Sequence, residues 1–179
     1  MLHRHWLKPL AHLMCCACMA AILPFAMAAD QITWGKYNVP PYMIRSGEFA
    51  HQGIFDLTLN VLKKEMPGYE HVELEAPFPR INSEIRKGSH WCFNGMLKTP
   101  EREHYGYLSL PMREANEVVF NRVMCPHNEW GRQVVEQVNK VLLAERAKPS
   151  YRAIVEKWHD PESVAEIRKI YDKVFLKIP

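Results

Sequence analysis

Residues 95–102, with the sequence Gly-Met-Leu-Lys-Thr-Pro-Glu-Arg, constrain the fold more than any other part of the chain. They predict the end of a strand, a turn with exposed backbone N–H groups, and the start of a helix. Thr99 can cap that helix, Pro100 suits its first position, and Glu101 suits the positive end of the helix dipole. Such a helix start attracts anions, and the planar guanidinium of Arg102 can bind a carboxylate through two hydrogen bonds. The segment therefore predicts a site that holds a small acid.

The beginning of the sequence predicts an export signal. Arg4 and Lys8 provide a basic region, residues 11–23 form an apolar run, and Ala26-Met27-Ala28 is a small-residue pattern typical of cleavage sites. We expect residues 1–28 to be a signal peptide, with cleavage near Ala28 and a periplasmic or secreted product. An uncleaved membrane anchor is the alternative, but the apolar run is short for a membrane span, which needs roughly 20 residues.

The rest of the chain, residues 29–179, has the size and composition of one globular domain. The whole sequence of 179 residues is 47% hydrophobic and 24% charged, which excludes a polytopic membrane protein. Removing Arg4 and Lys8 from the 23 basic residues leaves 21 against 20 acidic ones, and no basic stripe suggests nucleic acid as a partner. The sequence has no paired histidine spacing for a metal and no nucleophile motif, so we expect no metal, no cofactor and no enzymatic activity.

Two cysteines, Cys92 and Cys125, lie outside the predicted signal peptide. An even pair in an exported protein suggests a disulfide. Two buried thiols are the alternative, and the sequence leaves both open.

The pattern of apolar residues and helix breakers predicts strands that alternate with helices, followed by helices alone. Strands are predicted at residues 31–36, 69–76 and 91–93, and shorter ones at 107–108 and 118–120. Helices are predicted at residues 53–66, 80–87 and about 130–147, and from near Ser150 and Pro161 onwards. This order predicts an α/β layer structure with a largely parallel sheet.

Several of these segments resemble one known family. They are the first strand with the Tyr-Asn-Val-Pro-Pro-Tyr loop at 37–42, and residues 53–57, 95–102, 107–112 and 125–132. On these residues the chain resembles the periplasmic solute-binding proteins of the polar amino-acid type (family 3), the receptors of ABC importers, over nearly all of residues 30–179. The resemblance implies a single lobe of a type II periplasmic-binding-protein fold, with C-terminal helices. It also implies a small-molecule solute and, as a partner, the membrane subunit of an ABC transporter.

By this resemblance, the expected ligand-binding residues are Arg102, Thr99, Lys98, Gly95, Tyr37 and Tyr42. Arg102 would hold a carboxylate together with backbone N–H groups nearby, and the two tyrosines would enclose the solute. The residues alone also allow Arg102 to pair with a neighbouring glutamate and the tyrosines to pack their loop. The family usually has Thr or Ser at the position of Leu97, which can neither donate nor accept a hydrogen bond. The resemblance thus implies the carboxylate half of an amino-acid site without the ammonium half.

The resemblance further implies a departure in architecture, because the family has two lobes joined by crossover segments. Residues 118–123 are expected to form the outgoing crossover, and Cys125 is expected to belong already to the returning segment. The second lobe is therefore expected to be missing between about residues 120 and 125.

These observations predict a secreted, single-lobe solute-binding module that weakly contacts a small carboxylate-bearing solute, such as an amino acid. The alternative is a structural or protein-interaction remnant of a transport receptor that binds no solute. In either case the open cleft face offers a surface for a homodimer.

Overall fold

The computed structural model describes residues 29–116, 119–173 and 175–178, and side chains within 29–113, 120–173 and 175–178. The predicted signal peptide lies outside these residues. The strands are β1 Asp30–Lys36, β2 Tyr69–Glu75, β3 Trp91–Leu97, β4 Gly106–Asn116 and β5 Val119–Pro126. The helices are α1 Ile54–Glu65, α2 Phe78–Arg86, α3 Pro100–Glu103, α4 Glu129–Glu145, α5 Pro149–Glu156 and α6 Pro161–Lys173, followed by a 3-10 turn at Phe175–Lys177. None of these helices is long and apolar enough to cross a membrane.

The five strands form one sheet in the order β2-β1-β3-β5-β4. β1 pairs in parallel with both β2 and β3, whereas β5 lies antiparallel between β3 and β4. Four of the five strands in this sheet therefore point in the same direction, and β5 is reversed. The predicted α/β class, a mostly parallel sheet flanked by helices, is confirmed.

Local signals set the ends of the helices. Gly88 adopts a positive φ of 82° just after α2, a conformation that glycine accepts without steric cost. Asn128 caps α4, because its Oδ1 accepts a hydrogen bond from Gly131 N at 2.8 Å. Asp160 does the same for α6, accepting from Ser163 N at 3.0 Å. These are the positions at which the sequence predicted helix boundaries.

The antiparallel half of the sheet differs from the expectation. Residues 119–126 form one continuous strand, β5, so the position proposed for the missing lobe falls inside that strand. The strand that precedes it is β4, which is 11 residues long and pairs with β5 from Gly106 to Asn116. The sequence predicted only the beginning of β4, because Pro111 and three register shifts interrupt the alternation of a regular strand. β4 therefore precedes the connection to β5, and the expected position of the missing lobe, between about residues 120 and 125, stays a prediction.

Two clusters of buried side chains hold the helices to this sheet. The larger one joins β1 and α1 to α4 and the C-terminal helices, through residues that include Trp34, Leu59, Val138, Tyr151 and Tyr171. The smaller one joins α2 and the start of α1 to β3, through residues that include Ile54, Phe55, Ile81, Ile85 and Phe93.

The C-terminal helices also reach the edge strand β4. Asn139 of α4 accepts a hydrogen bond from Leu110 N at 2.7 Å through its Oδ1. The Tyr151 hydroxyl of α5 donates to the carbonyl oxygen of Met112 at 3.0 Å. The C-terminal helices therefore pack on the same sheet as the N-terminal strands.

A disulfide joins β3 to β5, between Cys92 and Cys125. Their Cα atoms lie 4.4 Å apart and the S–S distance is 2.05 Å. Both residues are fully buried. The bond links the parallel half of the sheet to its reversed strand, and a bridge of this kind typically stabilises a fold by about 2–4 kcal/mol.

Candidate functional site

The order of the strands marks one place on the sheet where a ligand is expected. From β1 the chain crosses through α1 to β2 on one side, and β3 lies on the other side of β1. The carboxyl ends of β1 and β3 carry the loop of residues 37–53 and the turn at Lys98 and Thr99. In open α/β sheets, ligands bind outside the strand ends at such a switch in strand order. The predicted ligand-binding residues lie in and around these two connections.

The turn after β3 has the predicted geometry. Thr99 has an extended backbone, with φ −139° and ψ 153°, and its Oγ1 accepts a hydrogen bond from Arg102 N at 3.3 Å. Pro100 occupies the first turn of α3. Among the described residues, the backbone N–H groups of Lys98 and Thr99 have no acceptor within the chain. The helix start therefore leaves backbone donors next to the end of β3.

Arg102 folds back towards that end. Its Nη1 donates to the carbonyl oxygen of Leu97, the last residue of β3, at 2.7 Å. The side chain is half-buried. A guanidinium carries five N–H donors, and among the described residues this is its one side-chain hydrogen bond.

The neighbouring glutamates do not neutralise Arg102. Glu101 pairs with Arg86, and Glu103 pairs with Lys98 at 2.7 Å. Among the side chains that the structure describes, no carboxylate lies within ion-pair distance of Arg102. The alternative interpretation, a surface arginine paired with Glu101 or Glu103, therefore does not describe this arrangement. The Lys98 ammonium, in contrast, is exposed and bound to Glu103.

The two tyrosines pack on core phenylalanines. The Tyr37 ring stacks on Phe93 at 5.7 Å, and burial raises the pKa of its hydroxyl. The Tyr42 ring stacks on Phe55 at 5.4 Å, and the guanidinium of Arg113 lies 5.0 Å from its centroid. Both tyrosines are half-buried. The packing interpretation therefore accounts for the ring contacts, and each tyrosine keeps an accessible part beside the strand ends.

Gly95 allows this close packing. A Cβ atom at this position would lie 2.5 Å from the Phe55 ring, closer than real side chains approach. The Gly95 carbonyl accepts a hydrogen bond from Asn121 Nδ2 at 3.2 Å. The structure thus gathers Tyr37, Tyr42 and Gly95 around Phe55 and Phe93, and Arg102 is anchored two residues further along β3.

A buried ion pair holds the loop of residues 37–53, and the sequence did not predict it. The ammonium of Lys36, which is fully buried, lies 2.6 Å from Asp56 Oδ1. Asp56 Oδ2 accepts hydrogen bonds from Ile44 N at 2.9 Å and Gly53 N at 3.1 Å. One carboxylate therefore fixes two points of the loop. An acidic residue three positions after Gly53, typical of a capping box, was the available signal.

Glu73 of β2 extends this network. Burial acts to raise the pKa of Glu73, but the hydrogen bond from Lys63 and the charges of Lys36, Lys63 and Arg45 outweigh burial and hold that pKa below its ordinary value. Glu73 Oε2 lies 3.6 Å from Lys36 Nζ. The buried ammonium of Lys36 therefore has a second carboxylate within reach.

The C-terminal helices also hold the loop. The indole Nε1 of Trp158 donates to the carbonyl oxygen of Gln52 at 2.8 Å, and Lys157 Nζ donates to Gln52 Oε1 at 2.8 Å. Trp158 also meets the exposed Phe49 edge-to-face at 5.2 Å.

A second concavity, of about 380 Å³, lies where β4 begins and β5 ends. Its walls come from the end of α2, the segment after α3 and the turn before α4, and include Arg86, Lys87, His104, Tyr105 and His127. It contains none of the predicted site residues. No group of three or more His, Cys, Asp or Glu side chains within the described part of the chain is placed to hold a metal ion.

Comparisons with known proteins identify the fold. No protein-family model and no curated protein matches the sequence. The substrate-binding protein of an amino-acid ABC transporter is similar with a TM-score of 0.57 at 12% identity, over 72% of this chain and 98% of that chain. A Salmonella typhimurium periplasmic binding protein with high arginine specificity gives 0.59 at 12% identity, over 74% and 100%. The arginine-bound form of domain 1 from TmArgBP gives 0.50 at 16% identity, over 63% and 90%.

These identities are low, so the likeness establishes the architecture and leaves the ligand open. This chain has the fold of the substrate-binding proteins of amino-acid ABC transporters.

Proposed function

We propose that this chain is an exported, single-lobe solute-binding module that contacts a small carboxylate-bearing solute, such as an amino acid, at the carboxyl end of β3. The observation that carries the proposal is Arg102. Its guanidinium is held at the open end of β3 by the Leu97 carbonyl, and no described carboxylate neutralises it. The free N–H groups of Lys98 and Thr99 add donors for the same anion.

A single domain of this architecture is a reasonable binding unit. Domain 1 from TmArgBP, which has a similar fold, is described in an arginine-bound form. One lobe nevertheless lacks the closure that excludes water and supplies contacts to the far side of a solute. Each missing charge-assisted partner typically forfeits about 1.5–3 kcal/mol. About 1.4 kcal/mol is a factor of ten in affinity, so losing several such contacts lowers the affinity of a micromolar receptor towards the millimolar range. We expect millimolar affinity for this chain.

The same architecture supports a proposal for the partner and the location. We propose export after cleavage near Ala28, and contact with the membrane subunit of an ABC transporter. The fold supports both, since similar proteins are periplasmic or serve such transporters.

Isothermal titration calorimetry on the mature protein tests the binding proposal with amino acids and small organic acids. We expect weak binding that Arg102→Ala abolishes and Arg102→Lys weakens, because lysine keeps the charge but loses the planar fork. Arg132→Ala is the matched control. Arg132 is an exposed arginine near the start of α4, and it pairs with Glu129 and Glu136. Binding that survives Arg102→Ala unchanged would contradict the proposed site.

One observation favours the alternative function, a protein-interaction module. Phe49 is 46% exposed and lies against Trp158 near the strand ends that carry the site. Exposed aromatic groups of this kind are common at protein interfaces. Measuring the mass of the mature protein in solution distinguishes the two: a dimer that Phe49→Ser converts to a monomer would favour association through this face.

A further inference from the structure

The carboxylates near Arg102 are already bound to other cations. The carboxylates on the adjoining α3 are bound to cations, Glu101 to Arg86 and Glu103 to Lys98. Asp56, below the loop of residues 37–53, is buried against Lys36. Within the described side chains around the end of β3, Arg102 is therefore a cation without a carboxylate partner. An anion placed next to Arg102 is attracted by its guanidinium, whereas a cation placed there is repelled.

Three hydrogen-bond acceptors near the end of β3 are also in use. The Leu97 carbonyl accepts from the Arg102 guanidinium, and Thr99 Oγ1 accepts from the Arg102 backbone. The Gly95 carbonyl accepts from Asn121. The Leu97 side chain itself is aliphatic and offers no acceptor. Among the described residues of this turn, the N–H groups of Lys98 and Thr99 and the carbonyl oxygen of Lys98 have no partner within the chain, so free donors outnumber free acceptors there.

An α-ammonium group fits poorly in these surroundings. In an amino acid, the ammonium is only two bonds from the carboxylate carbon, so a carboxylate on Arg102 brings the ammonium close to the same guanidinium. An ammonium carries three N–H donors that need acceptors, and a charged group left without partners is costly. The Tyr42 ring, which could attract a cation, already lies against the guanidinium of Arg113.

The rest of the crevice favours an apolar body. Tyr37 and Tyr42 lie beside the strand ends and rest on Phe93 and Phe55, and Leu97 adds an aliphatic surface. We infer that the Arg102 site prefers organic acids without an α-ammonium group, with an apolar or aromatic body, over the amino acids of the same skeleton. The inference rests on the proposed function and names the substrate class of that site.

Calorimetry with three matched probes tests this preference on the mature protein at neutral pH. L-Phenylalanine, phenyllactate and phenylpropionate share the carboxylate and the ring, and they carry an ammonium, a hydroxyl and a hydrogen at the α-carbon. We expect phenyllactate and phenylpropionate to bind at least tenfold more tightly than phenylalanine, which corresponds to about 1.4 kcal/mol. Arg102→Ala should abolish binding of all three.

A substitution at Leu97 gives a second readout. Leu97→Thr places a hydroxyl acceptor at the end of β3, and we expect it to shift the affinity ratio towards phenylalanine at least threefold. Leu143→Thr is the matched control, because Leu143 is 61% exposed on α4 and away from the site. It should leave the ratio unchanged.

The possible results test the proposed function and the preference for acids without an α-ammonium group separately. Arg102-dependent binding of phenylalanine that equals or exceeds that of the two acids would overturn this inference and leave the proposed function standing. An unchanged ratio in Leu97→Thr would also overturn it, since the missing acceptor would then not set the preference. Absence of binding by all three probes, or binding that does not depend on Arg102, would overturn the proposed function and this inference with it.

Discussion

Replacing Asp56 should destabilise the fold by breaking the ion pair beneath the candidate site. Lys36 is 0% exposed and Asp56 4% exposed, so neither charge is compensated by water. Removing one partner of a buried pair typically costs about 3–5 kcal/mol. Glu73 Oε2 lies only 3.6 Å from Lys36 Nζ and takes up part of the lost interaction. We therefore expect Asp56→Asn to cost about 3 kcal/mol, the lower end of that range.

The double variant Lys36→Met/Asp56→Asn gives the sharper test. It leaves neither charge of the pair, and the amide oxygen introduced at position 56 can still accept hydrogen bonds from Ile44 N and Gly53 N. We expect the double variant to be more stable than Asp56→Asn alone, because the main penalty of the single variant is an unpaired ammonium. Asp172→Asn is the control, since the Arg152–Asp172 pair is more exposed and should cost less than about 1 kcal/mol.

Urea denaturation measures the differences in the free energy of unfolding through the transition midpoint. The proteins compared are the unmodified protein, the variants above and Lys36→Met. Hydrogen exchange at the amides of Ile44 and Gly53 reports separately whether the loop of residues 37–53 loosens. A cost below about 1 kcal/mol for Asp56→Asn would refute the reasoning, because that value is typical of an exposed pair. A double variant as unstable as the sum of both single variants would refute it as well.

Three further predictions concern export, the disulfide and pH. N-terminal sequencing of the exported product should begin near Ala29, and an intact Met1 on a membrane-bound product would contradict cleavage. Thiol counting on the unfolded, unreduced mature protein should find no free thiol, and Cys92→Ala/Cys125→Ala should lower stability by about 2–4 kcal/mol; two free thiols would show that the bond does not form. Burial, aided by a nearby guanidinium, lowers the pKa of His159 from its ordinary 6.5, so the folded state resists protonation. That contribution is fully present above about pH 6.5 and is lost as the pH falls below it, so His159→Gln should flatten the loss of stability on acidification, and an unchanged pH profile would count against this role.

The local features of the fold were predictable because they depend on residues close together in the chain. Thr99 and Pro100 mark the start of α3, and Asn128 and Asp160 cap the helices that follow them. β4 was predicted only at its first residues, because Pro111 and the register shifts hide its periodicity. Its full length follows from pairing with β5, which depends on the tertiary fold.

The candidate site was predictable in composition but not in detail. The residues that meet at the ends of β1 and β3 follow from their positions in sequence and from the switch in strand order. Which partner each side chain takes is decided by neighbours that are distant in sequence. Thus Glu101 binds Arg86, and Asp56 binds Lys36, 20 residues away. The sequence alone could not show that Arg102 lacks an acidic partner among the described residues.

The antiparallel pairing of β4 with β5 also makes this lobe a suitable host for another domain. The two strands stay paired up to Asn116 and Val119, so the chain enters and leaves their connection about 5 Å apart. A folded domain whose own termini are neighbours could be inserted there without moving either strand. The disulfide joins β3 to the far end of β5, and the Arg102 turn follows β3, so both would keep their positions. Such a fusion would report solute binding on one lobe through the inserted domain.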